Sequence, residues 1–218
     1  MDLAPDAIAA HVQRCLRRLG TDYLDAFFLE YVRRGDEEVA VQALRWMRGA
    51  GGLGGTGGGA GAGAGAGGGP VRYLGCSTHD RGIALELLRS ERKRGGGGGG
   101  GSERSACELD LLMARYNMAH VGAEAEVFPL AQSRGVPIVA FTSTRWNSLQ
   151  KGHPQWSEEP PTPAECMRFA LSAPAVQVVL HSTADVDELA GWVQGVLGAR
   201  GDPPSAASRQ GGGGPRCG

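Results

Sequence analysis

The sequence predicts an α/β fold built on a parallel sheet. The first observation is a set of short, nearly continuous apolar runs, which are typical of strands buried on both faces. The second is that apolar residues with helical spacing follow each run. Because every strand leads into a helix, we expect parallel strands with helical crossovers. The five predicted strands are 25–32, 71–77, 109–116, 137–142 and 176–181.

The helices are indicated by apolar positions that recur every three or four residues. One amphipathic helix precedes the first strand, and others follow the first and last strands, the final one ending near Gly198. The positions that define one face are Ile8, Val12, Cys15, Leu16 and Leu19 in the first helix, Ala40, Ala43, Leu44 and Met47 in the second, and Val186, Leu189, Ala190, Val193 and Leu197 in the last.

The stretch TPAE at 162–165 predicts the start of another helix. Thr162 is the expected N-cap, Pro163 the first helical residue, and Glu165 the reciprocal cap. Two architectures fit the resulting order of elements: an open doubly wound sheet, or part of an eight-stranded barrel. Both place ligand sites at the carboxyl ends of the strands.

The glycine run GGLGGTGGGAGAGAGAGGGP at 51–70 satisfies the dinucleotide-binding spacing GxGxxG several times. A phosphate-binding loop, however, follows a strand and precedes a helix, because the free N–H groups of the helix bind the anion. This run follows a helix and precedes a strand. We therefore interpret 49–69 and 95–101 as flexible insertions in one domain spanning 1–198, and 199–218 as a disordered tail.

The charge, the apolar runs and the cysteines of the chain indicate which partners and which location to expect. The 218 residues carry a formal net charge of -1, which gives no electrostatic reason to expect nucleic acid or an anionic membrane as partner. No apolar run approaches eighteen residues and no signal peptide is apparent, so a cytoplasmic location is expected. The five scattered cysteines form no CxxC pair, which favours a reducing compartment.

Five segments, in order, resemble the aldo-keto reductase family. They are CLRRLGTDYLDAFFLEY, VRYLGCSTHD, ARYNMAH, VAFTSTRWNSL and VVLHSTADVDELAGWV, and together they cover most of residues 7–197. The resemblance implies a TIM (β/α)8 barrel, of which this chain comprises the last five parallel strand–helix units. It also implies an NADPH-dependent oxidoreductase that transfers a hydride to a small carbonyl compound.

The resemblance assigns one catalytic position. The family strands that carry the catalytic aspartate, tyrosine and lysine have no counterpart here, whereas the catalytic histidine falls on Glu30. A glutamate donates a proton only if burial raises its pKa. The steroid 5β-reductase branch also has glutamate there and reduces carbon–carbon double bonds, so an enone is a second substrate class. The alternative is that Glu30 is a polar strand-end residue with an ion-pair partner.

The resemblance also implies a cofactor site. It maps contacts with the nicotinamide carboxamide onto Ser77 and Thr78, and ring stacking onto Phe141. It maps a contact with the pyrophosphate onto Arg145. Two further hydroxyl residues, Ser182 and Thr183, stand near the start of the last helix, where they suit a phosphate or, equally, an ordinary N-cap.

Other hypotheses stay open at this stage. A non-catalytic nucleotide-binding or regulatory relative is one alternative, and pairing with another chain to complete the barrel is a further expectation. An open doubly wound nucleotide-binding protein is disfavoured, since YVRRGDEE at 31–38 is acidic and has one glycine. Three histidines, His79, His120 and His181, follow strands near Glu30, but no HxH pair supports a metal site and none is predicted.

Overall fold

The structure, a computed structural model, describes residues 2–49, 53, 69–91, 107–155, 157–183 and 185–198. The predicted insertion at 95–101 and the predicted tail at 199–218 lie outside these residues. Most of the predicted insertion at 49–69 does too, so the structure does not test these assignments.

Helices and strands alternate as the sequence predicts. Two short 3-10 turns, Gly122–Glu124 and Leu149–Lys151, lie in loops. In chain order the main elements are α1 (Pro5–Leu19), β1 (Leu24–Leu29), α2 (Glu37–Arg48), β2 (Val71–Thr78), α3 (Arg81–Arg89), β3 (Leu111–Arg115), α4 (Val127–Arg134), β4 (Ile138–Phe141), α5 (Pro163–Leu171), β5 (Val176–Val179) and α6 (Val186–Gly198).

The five strands form one parallel sheet in the order β1-β2-β3-β4-β5. Each strand lies beside the one that follows it in sequence, with a helix between them. A doubly wound sheet would instead reverse its strand order at a switch point. The order is therefore that of consecutive units of a (β/α)8 barrel, which resolves the choice that periodicity left open.

The predicted strand bounds differ from the observed ones by up to three residues. The largest difference is at β1, which was expected to reach residue 32 but ends at Leu29. The reason is that Tyr31 adopts a φ of 61°, in the left-handed region, which ends the extended conformation. The start of α5 is as predicted: Thr162 Oγ1 accepts a hydrogen bond from the Glu165 N–H, and the Glu165 carboxylate accepts one from the Thr162 N–H.

The chain divides into two compact units. The first comprises the described residues up to Ala114 together with Ala125–Ile138, and the second comprises Arg115–Glu124 together with the described residues from Val139 onward. In the first unit the predicted faces of α1 and α2 are buried except at two positions of α1, of which Cys15 is half-buried. Leu19 is 68% exposed, because it lies in the last turn of α1, just before the helix ends at Gly20.

In the second unit α6 forms as predicted, but its apolar face does not belong to the core. No residue of α6 is buried, although α5 packs against the helix. The face defined by Val186, Leu189, Ala190, Val193 and Leu197 is thus exposed among the described residues.

A close contact between strands fixes the register of the first unit. Gly75 pairs with Phe28 of β1 on one side and with Leu111 of β3 on the other. A Cβ atom at position 75 would lie 2.5 Å from Phe28 Cε1 and 3.0 Å from the Leu111 carbonyl oxygen. The absence of a side chain therefore allows the Phe28 ring to lie against β2.

A buried ion-pair cluster joins the end of α2 to the middle of β2 and to the segment just before β3. Glu108 is only 2% exposed, and its Oε1 accepts a hydrogen bond of 3.1 Å from Arg45 Nε. The Arg48 guanidinium donates to the Glu108 carbonyl oxygen at 2.8 Å and also pairs with Asp110. Asp110 Oδ2 in turn accepts a 2.8 Å hydrogen bond from the Leu74 N–H. The end of α2 is thereby joined to β2 and to the segment before β3.

We expect Gly75→Ala to lower the free energy of unfolding by about 1–3 kcal/mol, since the added methyl group overpacks the contact with Phe28 and Leu111. Gly191→Ala is the control, because a Cβ there meets no atom within 4 Å. That change should leave stability unchanged or raise it by up to about 1 kcal/mol. Urea unfolding followed by circular dichroism measures both, and equal stability of the two variants would contradict the prediction.

We expect Glu108→Gln to lower the free energy of unfolding by about 3 kcal/mol or more, because it leaves Arg48 buried without its full counter-charge. Asp25→Asn is the matched control in the same unit. It removes the exposed ion pair of Asp25 with Arg72, and should cost less than about 1 kcal/mol. Similar losses in the two variants, measured by urea unfolding, would show that the cluster does not have this role.

Candidate functional site

In the first unit, the loop after β1 is hydrogen-bonded to the carboxyl end of β2. The Tyr31 N–H donates to Ser77 Oγ at 3.0 Å, and the Val32 N–H donates to the Ser77 carbonyl oxygen at 3.0 Å. Thr78 Oγ1 donates to the Val32 carbonyl oxygen at 3.1 Å. These bonds hold the loop that contains Glu30 beside Ser77 and Thr78.

The two predicted carboxamide-binding residues differ in what their hydroxyl groups still offer. Both are buried, with Ser77 6% and Thr78 3% exposed. Thr78 Oγ1 donates to Val32 and accepts from the Asp80 N–H, so its proton is already in use. Ser77 Oγ accepts from Tyr31, and its own proton has no acceptor among the described residues. Ser77 is thus the residue that retains a donor for a ligand.

Glu30 lies directly after β1 and is exposed. The first unit therefore does not provide the burial that a protonated glutamate would need. It also gives Glu30 no ion pair with any described residue, so the sequence alternative of a paired strand-end carboxylate is not supported either.

Next to Glu30, an aromatic pair that the sequence analysis did not identify stands at the same strand ends. The ring centroids of Tyr31 and His79 lie 5.0 Å apart, and Tyr31 is 56% exposed. The left-handed backbone of Tyr31 places it there. Nothing in the residue type indicates such a conformation.

In the second unit, Asn117 connects the ends of β3 and β4. The side chain is fully buried, and its Nδ2 donates to the Thr142 carbonyl oxygen at 2.8 Å. Its Oδ1 accepts from the Ala119 N–H at 3.0 Å and lies 3.0 Å from His120 Nδ1. The sequence analysis missed this role. An amide directly after a buried strand is the signal that could have identified it, since a buried amide must be hydrogen-bonded.

The predicted residues Phe141 and Arg145 lie at the end of β4 and in the loop that follows. Phe141 is half-buried and is the last residue of β4. Arg145, Trp146 and Asn147 have φ angles of 52°, 52° and 59°, three consecutive left-handed residues that together cost several kcal/mol. Such strain concentrates at functional sites. Arg145 is exposed and has no ion pair with a described residue, so its guanidinium is available to an anion.

His181, after β5, lies in a partly desolvated setting. Its ring meets Trp192 of α6 edge to face, with centroids 4.4 Å apart, and its Nδ1 lies 3.4 Å from Ser143 Oγ. Its Nε2 is buried and has no hydrogen-bond partner. Desolvation lowers the pKa of His181, with the nearby Glu188 carboxylate opposing the change. The imidazole is therefore neutral near pH 7.

The start of α6 is capped by a carboxylate. Asp185 Oδ1 accepts from the N–H groups of Asp187 and Glu188, at 2.8 and 3.2 Å. Thr183 Oγ1 donates to Glu188 at 2.8 Å and accepts from the Asp185 N–H at 3.0 Å. These carboxylates take the N–H groups that a phosphate would use and also repel it electrostatically. The geometry favours the capping alternative, with Asp185 rather than Ser182 or Thr183 as the cap.

Three further features bear on the chemistry. Within the described ranges, no three His, Cys, Asp or Glu side chains come together as a metal site. Cys76 is fully buried, and burial raises the pKa of its thiol far above the ordinary value, as is typical of a structural cysteine. None of the described helices combines the length and the apolar composition needed to cross a bilayer.

Known proteins resemble this chain in structure. No protein-family model and no curated protein matches it in sequence. The holo form of an aldo-keto reductase from Bacillus halodurans matches with a TM-score of 0.64 at 20% identity, over 96% of this chain and 67% of that one. The glycerol dehydrogenase from Gluconobacter oxydans matches with a TM-score of 0.59 at 14% identity, over 96% of this chain and 63% of that one.

A third match is an aldo-keto reductase from Klebsiella pneumoniae, solved in complex with NADP and acetate. Its TM-score is 0.59 at 15% identity, over 95% of this chain and 64% of that one. At these identities the likeness shows the fold: the chain has the fold of the corresponding part of an aldo-keto reductase barrel. It spans about two thirds of the length of the solved proteins that it matches.

We expect the pKa of His181 in the folded chain to lie below 6.5, its ordinary value, because the desolvated ring resists protonation. The unfolded chain then binds the proton more readily, so the free energy of unfolding should fall as the pH drops below about 6.5. His120, whose pKa is also lowered by desolvation and by Arg115 and Arg145, should add to this loss. An NMR titration of the imidazole C–H signals measures the pKa values directly.

His181→Gln should make the stability of the chain less dependent on pH between about 7 and 5. The His153→Gln variant controls for removal of an exposed imidazole. A titration of His181 at or above pH 6.5 would contradict the expected effect of burial.

Proposed function

We propose that the chain forms part of an NADPH-dependent oxidoreductase of the aldo-keto reductase type, acting in the cytoplasm on a small carbonyl or enone substrate. The observation that carries the proposal is the fold. Five consecutive strand–helix units match solved aldo-keto reductases over 96% of the chain. The residues at the strand ends of each unit support it, because they offer hydrogen-bond donors and a cation suited to a dinucleotide.

Three of the predicted binding residues would each contact a different part of the cofactor. The Ser77 hydroxyl would donate to the nicotinamide carboxamide, Phe141 would stack on the ring, and Arg145 would pair with the pyrophosphate. Thr78 would position the loop after β1 through Val32 rather than touch the cofactor. When bound, NADPH would supply the hydride that reduces the substrate.

The start of α6 fits the cofactor less well. Ser182 is exposed, but the Thr183 hydroxyl and the first N–H groups of α6 are used by Glu188 and Asp185. We propose that Ser182 and Thr183 shape this turn, and that a phosphate of the cofactor would approach it only if the carboxylates moved aside.

A non-catalytic nucleotide-binding or regulatory relative is the second candidate function. The observation that favours it is the exposure of Glu30, the one residue that the resemblance assigns to proton transfer. We propose that turnover requires further residues that bury Glu30 and provide the other catalytic groups.

We expect Arg145→Gln to weaken NADPH binding about tenfold or more, because it removes a charge-assisted hydrogen bond to the pyrophosphate. Lys151→Gln removes an exposed positive charge from the same loop and is the control, with a change within about twofold expected. Titration followed by NADPH fluorescence measures both. Equal affinities of the two variants would remove Arg145 from the site.

The same samples test for turnover. Oxidation of bound NADPH on addition of small aldehydes or enones would establish the reductase in this chain, whereas tight binding without oxidation is expected both if turnover needs further residues and if the chain is the non-catalytic relative. If wild-type protein does not bind NADPH, both proposals fail.

A further inference from the structure

Three basic side chains converge at the ends of β3 and β4 in the second unit. Arg115 is the last residue of β3, His120 lies in the loop that follows, and Arg145 lies in the loop after β4. Desolvation lowers the pKa of His120, and the charges of Arg115 and Arg145 lower it further. Both guanidinium groups therefore lie close enough to the imidazole to act on it electrostatically.

Hydrogen bonds to the Thr142 carbonyl oxygen hold the two loops together. This oxygen accepts from Asn117 Nδ2 at 2.8 Å and from the Arg145 N–H at 2.9 Å. The His120 N–H in turn donates to the Asn117 carbonyl oxygen at 2.9 Å, and the ring Nδ1 lies 3.0 Å from Asn117 Oδ1. Since Asn117 is fully buried, its amide fixes His120 and the backbone of Arg145 relative to each other.

The contact with Asn117 determines which nitrogen of His120 carries the proton. Asn117 Oδ1 also accepts from the Ala119 N–H, which fixes the orientation of the amide. Because Oδ1 is a carbonyl oxygen and only accepts, Nδ1 carries the hydrogen in the neutral His120 ring. Nε2, on the other side of the ring, has no hydrogen bond to a described residue. Protonation makes Nε2 a donor, so His120 can add a third donor beside the two arginines.

The positive charge of the two arginines is not neutralised within the described residues. Neither Arg115, which is half-buried, nor the exposed Arg145 forms an ion pair with a described residue. Glu124, in the 3-10 turn after the β3 loop, accepts a hydrogen bond from the Tyr116 hydroxyl. The Thr142 hydroxyl oxygen is buried and has no hydrogen-bond partner among the described residues. Uncompensated positive charge and an unused hydroxyl both suit an anion with several oxygen atoms.

We infer that Arg115, His120 and Arg145 bind a phosphate group at the ends of β3 and β4. The two guanidinium groups pair with the phosphate oxygens, and the His120 imidazolium donates from Nε2. The family resemblance points only to Arg145, whereas Arg115 and His120 are assigned by the structure. This site deepens the proposed function and rests on it only for the source of the phosphate group, which is either the pyrophosphate of the dinucleotide or a separate ligand.

Anion binding and protonation of His120 are linked. Without an anion the ring is neutral near pH 7, because desolvation and the two arginines lower its pKa. The negative charge of a bound phosphate group favours the imidazolium instead. Since linkage is reciprocal, a bound anion should raise the pKa of His120, and binding should strengthen as the pH falls.

The test is an NMR titration of the full chain with sulfate at constant ionic strength, followed through the imidazole C–H signals. Sulfate has the tetrahedral shape of a phosphate group and keeps its double charge, whereas a phosphate monoester titrates near about pH 6. We expect a saturable shift of the His120 signals, which the His120→Gln variant identifies, and a higher His120 pKa with sulfate bound. The signals of the exposed His153 should not shift.

Two arginine variants show whether the cation cluster is the site. Arg115→Gln and Arg145→Gln should each weaken sulfate binding about tenfold, because each removes a charge-assisted hydrogen bond. Lys151→Gln removes an exposed positive charge from the loop after β4 and is the control, with a change within about twofold expected. In His120→Gln, binding should no longer strengthen between about pH 7.5 and pH 5.5.

NADPH identifies the source of the phosphate group. If NADPH displaces sulfate and Arg115→Gln also weakens NADPH binding, the group is the pyrophosphate of the dinucleotide. If sulfate binds equally well with and without NADPH, the group belongs to a separate ligand. Because the sulfate titration contains no NADPH, its failure is distinct from failure of the proposed function.

Three results would overturn the inference. They are no saturable shift of the His120 signals, a shift that Arg115→Gln leaves unchanged, and equal losses of affinity in Arg115→Gln and Lys151→Gln. The last result would show attraction by surface charge rather than binding at a site. Circular dichroism of each variant confirms that the chain is still folded.

Discussion

The buried contact of Glu108 with Arg45 and Arg48 is the constraint on which the first unit depends. The two arginines lie at the end of α2, and the carboxylate lies just before β3, so the contact joins points far apart in sequence. Arg45 also donates to the carbonyl oxygen of Glu91, directly after α3. A buried charge is tolerated only when it is paired and hydrogen-bonded, so these ends must come together for the unit to fold.

At the opposite ends of the strands, short polar contacts take the place of ion pairs. Ser77 and Thr78 hold the loop after β1, and Asn117 holds the loop after β4. Each contact joins a side chain at or just after the end of one strand to the backbone beyond a neighbouring strand. The candidate binding residues are therefore placed by hydrogen bonds to buried groups, and they can differ in type while the strand ends stay in position.

The sequence predicted the strands, their alternation with helices and the start of α5, because these depend on local apolar pattern and capping chemistry. The order of the strands in the sheet came from the structure, since apolar pattern fits both a doubly wound sheet and part of a barrel. The sequence could not predict the positive φ angles of Tyr31 and of Arg145 to Asn147, since none of these residue types requires them. The face of α6 shows a second limit. Apolar spacing indicated which residues of α6 share a face, but the spacing does not say whether another element covers that face, and none of the described residues of α6 is buried.

For the candidate site, the family resemblance identified which residues to consider, and the structure showed which of their polar groups are already hydrogen-bonded. The sequence gives no reason to distinguish the hydroxyl groups of Ser77 and Thr78. In the structure, the Thr78 hydroxyl already donates to Val32, whereas the Ser77 hydroxyl has no acceptor among the described residues. In the sequence, Ser182 and Thr183 fit a phosphate-binding site and a helix N-cap equally well. The hydrogen bonds of Asp185 to the first N–H groups of α6 favour the N-cap. Contacts of this kind depend on side-chain rotamers and loop geometry, which residue spacing does not encode.

The bridge between Glu91 and Cys107, together with the Arg45 and Glu108 contacts, fixes the two points between which residues 92–106 connect. Those points are held by the surrounding fold, because Arg45 reaches both Glu91 and Glu108. The register of β2 and β3 is consequently set by contacts within the first unit that lie outside the connection.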